Sequence, residues 1–328
     1  TTGNYNVAIG YDSLQQNTTA NNNVAVGHDA LKLNTTGASN TAVGANALDS
    51  NTTASNNTAV GYVALGANTT GGTNTAVGKD ALASNTTASA NTGLGKSALQ
   101  TNTTGDNNTA VGKDALLSNT TGSENVAVGN NALYANTTGT HNVALGYQPL
   151  HDNTTGVRNI AIGDRPMDAN TTASYNLAIG YAALYKSNTS YNIAIGADAL
   201  HNMTTGSQCL AIGYQASLGN TTGDYNTAIG YQSLKTNTTG TINTAIGYQS
   251  LYSNISGQEN VAVGHQALYN NTASYNTAVG KDALEANTTG SNNTGVGYHV
   301  FKSNSGGSNN TAVGSAALDA NTTASNNT

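Results

Sequence analysis

The sequence has no tryptophan, one phenylalanine, two prolines, two methionines and one cysteine in 328 residues. Charged residues make up 8% of it, where a soluble domain carries about 25%. This composition argues against ordinary globular domains. The single Cys209 excludes an intrachain disulfide framework and any cysteine-based metal cluster. Ten Lys and Arg at a net charge of −6 form no basic run, which excludes nucleic acid as a natural partner. No segment is apolar enough to cross a bilayer as a helix, so no membrane insertion is expected here, and Thr1-Thr2-Gly3 does not read as a signal peptide. Near absence of cysteine in an Asn/Thr-rich chain suits an extracellular surface.

What the chain has instead is glycine (38 residues), asparagine and threonine. Low charge with high polarity can mean disorder, but disorder usually comes with high net charge and few β-branched residues, whereas Val, Ile and Thr recur here at fixed places. The pentad Asn108-Thr109-Ala110-Val111-Gly112 occurs in variant form nineteen times, from Asn6–Gly10 to Asn310–Gly314. Starts fall seventeen residues apart, except that the steps from Asn176 to Asn192 and from Asn260 to Asn276 are one shorter. The consensus is N-(T/V/I)-A-(V/I)-G-x-x-A-L-x-x-N-T-T-(G/A)-x-x, numbered here as positions 1 to 17. Such self-similarity marks a repeat architecture.

Position 4 is always aliphatic and position 5 always glycine, which predicts a strand over positions 1–4 and a corner at 5 requiring positive φ or close backbone approach. Position 9 is Leu in sixteen rungs, with Met167 and Phe301 among the exceptions, and reads as interior. Asn-Thr-Thr-Gly at positions 12–15 reads as a turn. Pro149 and Pro166 both occupy position 8, so that position is not expected to donate to a ladder. Positions 7–11 are read as extended rather than as one helical turn, since a helix about 10 Å wide would not stack at about 4.8 Å. The fold expected is all-β: a parallel β-solenoid of about nineteen seventeen-residue rungs over residues 1–328, a rod of roughly 90 Å held by stacked neighbours. Thr1 falls at position 13 and Thr328 at position 2, so the sequence reads as a window from a longer array, cut within a rung at both ends.

Positions 2, 4 and 9 are expected to form the core. Position 3 is Ala in seventeen rungs and Gly in two; strand alternation then points it outward, and its smallness implies a second chain packed against it. The candidate interface is Ala8, Ala25, Ala42, Ala59, Ala76, Ala110, Ala127, Ala144, Ala161 and Ala178, with another copy of the chain as the partner. The alternative is that position 3 packs inside a flattened coil.

These pentads, Asn6-Val7-Ala8-Ile9-Gly10 and Asn192-Ile193-Ala194-Ile195-Gly196 most directly, resemble the Val-Ala-Ile-Gly head repeats of trimeric autotransporter adhesins. The arrays are similar to those in phage tail fibres and bacterial surface fibre proteins. The resemblance covers the whole chain and implies a left-handed parallel β-roll wound as a homotrimer, in an adhesin or tail fibre at a cell surface or virion. The seventeen-residue period departs from the shorter adhesin coil.

No catalytic constellation, cofactor motif or metal site is found. His28, His141, His151, His201, His265 and His299 share no fixed spacing and read as solvated. Carboxylates at position 7 (Asp12, Asp29, Asp80, Asp114, Asp198, Asp282) recur with gaps unsuited to a calcium ladder. Cys209 replaces Asn at position 1 and reads as a buried thiol. Tyrosines at position 6 (Tyr11, Tyr62, Tyr147, Tyr181, Tyr214, Tyr231, Tyr248, Tyr298) form an exposed stripe suited either to cross-rung stacking or to sugar binding. The turns contain Asn-X-Thr acceptors at Asn17, Asn34, Asn51, Asn68, Asn85, Asn102, Asn119 and Asn136, open to glycans in a glycosylating pathway; the other reading is a Thr and Asn ladder. Three functions compete: a non-catalytic structural fibre attaching to a host-surface glycan or matrix, an ice-binding solenoid presenting Thr ladders such as Thr41, Thr58, Thr75, Thr92 and Thr109, and a polysaccharide-processing enzyme. The last lacks a paired carboxylate, and the fibre is the reading preferred.

Overall fold

The aliphatic residue at position 4 and the glycine at position 5 give each rung one short strand and a forced corner. The computed structural model describes residues 2–328 and is an all-β parallel β-solenoid with seventeen-residue rungs. Nineteen strands run from Val7–Ile9 to Thr311–Val313. Most cover positions 2–4, and two, Val143–Tyr147 and Ile160–Asp164, continue through the corner. Corner glycines have φ between 125° and 143°, and a Cβ on Gly112 would run into the backbone of Gly129 one rung on. Dihedral and stacking each demand glycine here.

The chain divides into two compact units, one ending at Ile162 and one running from Gly163 to Thr328. Within the first, strands pair in parallel and in register, as in Thr109 with Val126, Ala110 with Ala127 and Val111 with Val128. Within the second, the two sixteen-residue rungs keep the same register, with Leu177 opposite Ile193 and Val261 opposite Thr277. The missing residue is therefore absorbed outside the strand.

Backbone ladders continue beyond the strands. Leu116 N donates to Ala132 O at 2.9 Å, Ser118 N to Tyr134 O at 3.1 Å and Thr120 N to Thr137 O at 2.9 Å, all toward the following rung. Gly112 N and Asp114 N donate toward the preceding rung, to Leu94 O at 2.7 Å and Lys96 O at 3.0 Å. Position 8 is different: Ala115 N reaches Gly112 O of its own rung, at 3.5 Å. A proline there removes no inter-rung bond, and Pro149 O still accepts from Leu133 N at 3.1 Å.

Positions 7–11 are neither extended nor helical. They form tight turns in which positions 7 and 9 are left-handed in every rung, as in Asp114 (φ 57°) and Leu116 (φ 50°). Left-handed residues set between neighbours of negative φ cancel the winding that would make a helix, so the segment stays within its layer. Leucine in this region costs on the order of 1 kcal/mol, and ladder bonds on both sides hold it there.

The interior reverses the expected polarity of the strand. In the rung from Asn108, the buried residues are Asn108, Ala110, Ala115, Leu116, Asn119 and Gly122, while Thr109 and Val111 lie outward and half-exposed. Ala25, Ala42, Ala59, Ala76, Ala110, Ala127, Ala144, Ala161 and Ala178 are all fully buried within one chain; Ala8, in the first rung, is exposed. None of the nine offers a surface to a partner. The cause is volume. The coil is narrow, and position 3 faces the position 9 side chain: a Cβ on Gly93 would lie 3.4 Å from Leu82 Cγ. Two Val or Ile side chains per rung do not fit opposite that leucine. The rung holding Phe301 has Gly295 at position 3, and a Cβ on Gly295 would lie 3.3 Å from Phe301 Cδ2, so the larger ring is matched by a missing methyl group.

Candidate functional site

Two columns of buried asparagine brace the first unit. At position 12, each side chain donates from Nδ2 to Oδ1 of its counterpart one rung earlier, from Asn34 onto Asn17 through to Asn153 onto Asn136, at 2.8–3.1 Å. At position 1, the backbone N–H donates to the preceding Asn Oδ1, as Asn108 N does to Asn91 Oδ1 at 2.9 Å. Both Nδ2 groups of a rung converge on the position 15 carbonyl: Gly122 O accepts from Asn108 at 2.8 Å and from Asn119 at 2.9 Å. Buried amides are tolerated only when bonded in this way.

This placement selects the ladder from the two readings of the Asn-X-Thr turns and sets aside the glycan acceptors. Asn34, Asn51, Asn68, Asn85, Asn102, Asn119 and Asn136 are fully buried, and Asn17 is half-buried with its Nδ2 donating to Ala20 O at 3.2 Å. In the folded chain these amides are interior ladder members, not surface acceptors. The threonine after them is bonded too: Thr103 Oγ1 donates to Thr120 O at 2.9 Å. The second threonine, at position 14, is exposed in every rung of the first unit from Thr19 to Thr155.

The outward surface has three kinds of column. On the strand face, positions 2 and 4 present Thr, Val, Ile and Leu without a charge, and Val43, Val77, Ile246, Val279 and Val296 are 36–38% exposed. At the turn runs the position 14 threonine row. Past the corner runs position 6. In the second unit, Tyr214, Tyr231, Tyr248 and His265 stack there with ring centroids 5.4, 5.4 and 5.1 Å apart. Beside them at position 7, Gln232 donates to Gln215 at 3.0 Å, Gln249 to Gln232 at 3.0 Å and Gln266 to Gln249 at 3.2 Å. In the first unit position 6 is mixed, with Tyr11 stacked on His28 at 5.3 Å and Lys79 over Tyr62 at 5.8 Å. Position 10 adds shorter stacks, Tyr134 on His151 and Tyr252 on Tyr269.

The titratable groups are scattered along these columns. Asp282 is the most connected, with His299 Nε2 at 2.9 Å, His265 Nδ1 at 3.2 Å and Lys281 and Lys302 farther out. Asp49 has a buried oxygen without a hydrogen-bond partner, and burial followed by the nearby Asp29 raises its carboxyl above the usual range. Cys209 is buried, and desolvation pushes its thiol up to about 11. Its Sγ donates to Gly223 O at 3.3 Å, the bond that Asn makes from position 1 in other rungs. Among the described residues no group of three His, Cys, Asp or Glu converges as a metal site, and no helix is long and apolar enough to cross a membrane.

The position 12 column is the Asn ladder that the sequence offers, whereas the position 1 column and the glutamine column escape a sequence reading. Their signal is recurrence itself, a polar residue returning at one position whose partner is seventeen residues away. Compared with known proteins, the chain matches no family model and no curated sequence.

Proposed function

We propose that the chain is a rigid, non-catalytic fibre segment that self-associates through its strand face. This is the role implied by its resemblance to trimeric adhesin heads and tail-fibre arrays. The observation that supports it is the outward, uncharged Thr/Val/Ile/Leu face of positions 2 and 4. Contiguous exposed apolar surface marks interaction sites. A second copy presents the same columns at the same rung spacing, so the two faces can meet rung for rung, and a closed ring of copies such as a trimer leaves no face open. The interface is thus moved from position 3 to positions 2 and 4. Such a fibre belongs at an extracellular or virion surface, where repeated weak contacts to a host-surface glycan or matrix multiply in strength. Sedimentation velocity with electron microscopy tests it: elongated multi-chain particles are expected, and Val111→Lys with Val77→Lys should release single chains. A monomeric wild-type chain at micromolar concentration would overturn the reading.

Ice binding is the second reading, favoured by one observation: the position 14 threonines of the first unit are exposed and uninterrupted, one per rung. Thermal hysteresis in the purified chain decides it, and freezing-point behaviour no different from a buffer control removes it.

A further inference from the structure

We infer that the Tyr/His and Gln columns of the second unit form a binding track for an extended, neutral β-linked polysaccharide, one sugar per rung. The argument starts from the rings. Tyr214, Tyr231, Tyr248 and His265 are nearly parallel, at 25°, 6° and 11°, with centroids 5.1–5.4 Å apart. That separation exceeds a carbon–carbon contact of about 3.5–4.0 Å, so the rings do not cover one another in close face-to-face contact, and the three tyrosines stay 44–45% exposed. An exposed aromatic face receives the C–H face of a sugar, and the phenol hydroxyls receive its hydroxyls.

The glutamine column supplies the polar edge. Each amide in it spends one N–H on the carbonyl of the rung before, and an amide nitrogen carries two. Gln232, Gln249 and Gln266 therefore each have a second donor at the same spacing as the rings. Position 6 is Lys281 and position 7 is Asp282 in the next rung, and Ala197 and Asp198 hold these positions in the rung before Tyr214. Between those ends the two columns carry no acid, lysine or arginine.

Period and charge together select the ligand. A partner that meets every rung alike must repeat at the rung spacing of about 4.8 Å. A peptide strand advances about 3.3–3.4 Å per residue and falls out of step, and a nucleic acid would need phosphate-binding cations that the track lacks. A β-1,4-linked sugar chain advances by close to one strand spacing per ring, is neutral, and alternates apolar C–H faces with hydroxyl edges. The first unit breaks position 6 with Lys79, Lys96 and Lys113 and position 7 with Asp80 and Asp114, and offers no such track.

The test uses the whole chain in its native assembly state. Soluble cello- and chito-oligosaccharides are titrated by calorimetry, malto-oligosaccharides serve as the α-linked control, and sedimentation runs on the same samples report assembly. Binding of a β-linked series that strengthens with length up to about four sugars is expected, with at least about tenfold loss in Tyr231→Ala/Tyr248→Ala and none in Tyr62→Ala. Gln232→Ala/Gln249→Ala, which keeps the rings, is expected to weaken binding severalfold and decides the matter if the alanine variant loses its circular-dichroism spectrum. No binding of either β-linked series, equal binding of malto-oligosaccharides, or unchanged binding by the folded variants overturns the track. Because assembly is read separately, a chain that assembles without binding sugar overturns this inference alone, and one that binds sugar as a monomer overturns only the fibre reading.

Discussion

The two units share one rung and differ in which of its positions repeat strictly. In the first, the interior is regular: the position 12 asparagine column is unbroken from Asn17 to Asn153, while the exterior at position 6 drifts among Tyr, His, Ala, Lys and Asn. In the second, each pattern holds over part of the length, and the asparagine column runs again from Asn220 to Asn254. Ser187 and Met203 interrupt the asparagine column, and the sixteen-residue rung from Asn260 leaves Asn254 Oδ1 without a partner, yet the exterior keeps four stacked rings and a glutamine column in step. Interior bracing and exterior pattern are therefore separable. Strand register survives every lapse, so the strand and its glycine corner carry the fold, and the asparagine columns reinforce it.

The sharpest way to break that comparison is to attack what both units share. Ala110→Gln places a long polar side chain where a methyl group is fully buried. Overpacking and an unbonded amide should together cost about 4 kcal/mol or more, seen as a lower midpoint in chemical denaturation. If the variant unfolds as wild type does, position 3 is not interior. The asparagine column should give the next largest effect. Asn85→Ala strands Asn68 Oδ1 and one donor of Asn102, an expected loss of about 2–4 kcal/mol. Ser187→Ala, at the same position in the second unit, should cost less, about 1–2 kcal/mol, because it frees only the contacts to Thr189 and no asparagine column runs there. Equal losses at the two sites would remove the distinction between the units.

A smaller effect tests how volume is shared within a rung. Gly295→Ala sets a methyl group 3.3 Å from Phe301 Cδ2 and should destabilise by about 1–3 kcal/mol. Combining it with Phe301→Leu relieves that contact but leaves Val300 Cγ1 at 3.1 Å, and should recover part of that loss. A double-mutant cycle measures the coupling, and additive effects would show that the two residues do not compensate.

Much of this was legible in the sequence, and the errors share a cause. Gly112, Val111 and Leu116 announce period, strand, corner and one interior column, and Pro149 announces a position that gives no inter-rung bond. Hydropathy places positions 2 and 4 on the strand's inner face, and the structure turns them outward. In so thin a coil the space opposite Leu116 decides, and it admits Ala110 but not Thr109 with Val111. The left-handed turns at Asp114 and Leu116 were hidden because leucine gives no sign of positive φ; stacked neighbours impose it. For Asn119 the sequence leaves a surface acceptor and a ladder member open, and its partners Asn102 and Asn136, one rung away on either side, select the ladder. Of the outer columns, the tyrosines of position 6 were visible as a stripe, but Gln232 and its neighbours gained meaning only when the rungs were stacked.

Cys209 is where the second unit departs from the position 1 column, and it is the place to repair it. The thiol occupies the asparagine site, donating to Gly223 O, and burial pushes it up to about 11. At neutral pH it should react with thiol reagents far more slowly in the folded chain than in denaturant, a difference that labelling rates measure directly. Its linkage to stability has a defined sign. Below the ordinary value of 9.0 both folded and unfolded chains keep the proton, and stability is unaffected. Between 9.0 and about 11 the unfolded chain loses the proton and the folded chain holds it, so stability falls across that window and levels off above it. Cys209→Asn should abolish this alkaline loss and supply an Oδ1 to Asn226 N, as Asn91 does to Asn108, raising stability at neutral pH by about 1 kcal/mol. An unchanged alkaline profile in the variant would mean that the thiol is not the group responsible, and a loss of stability at neutral pH would mean that the second unit has repacked around sulfur and no longer accepts the amide.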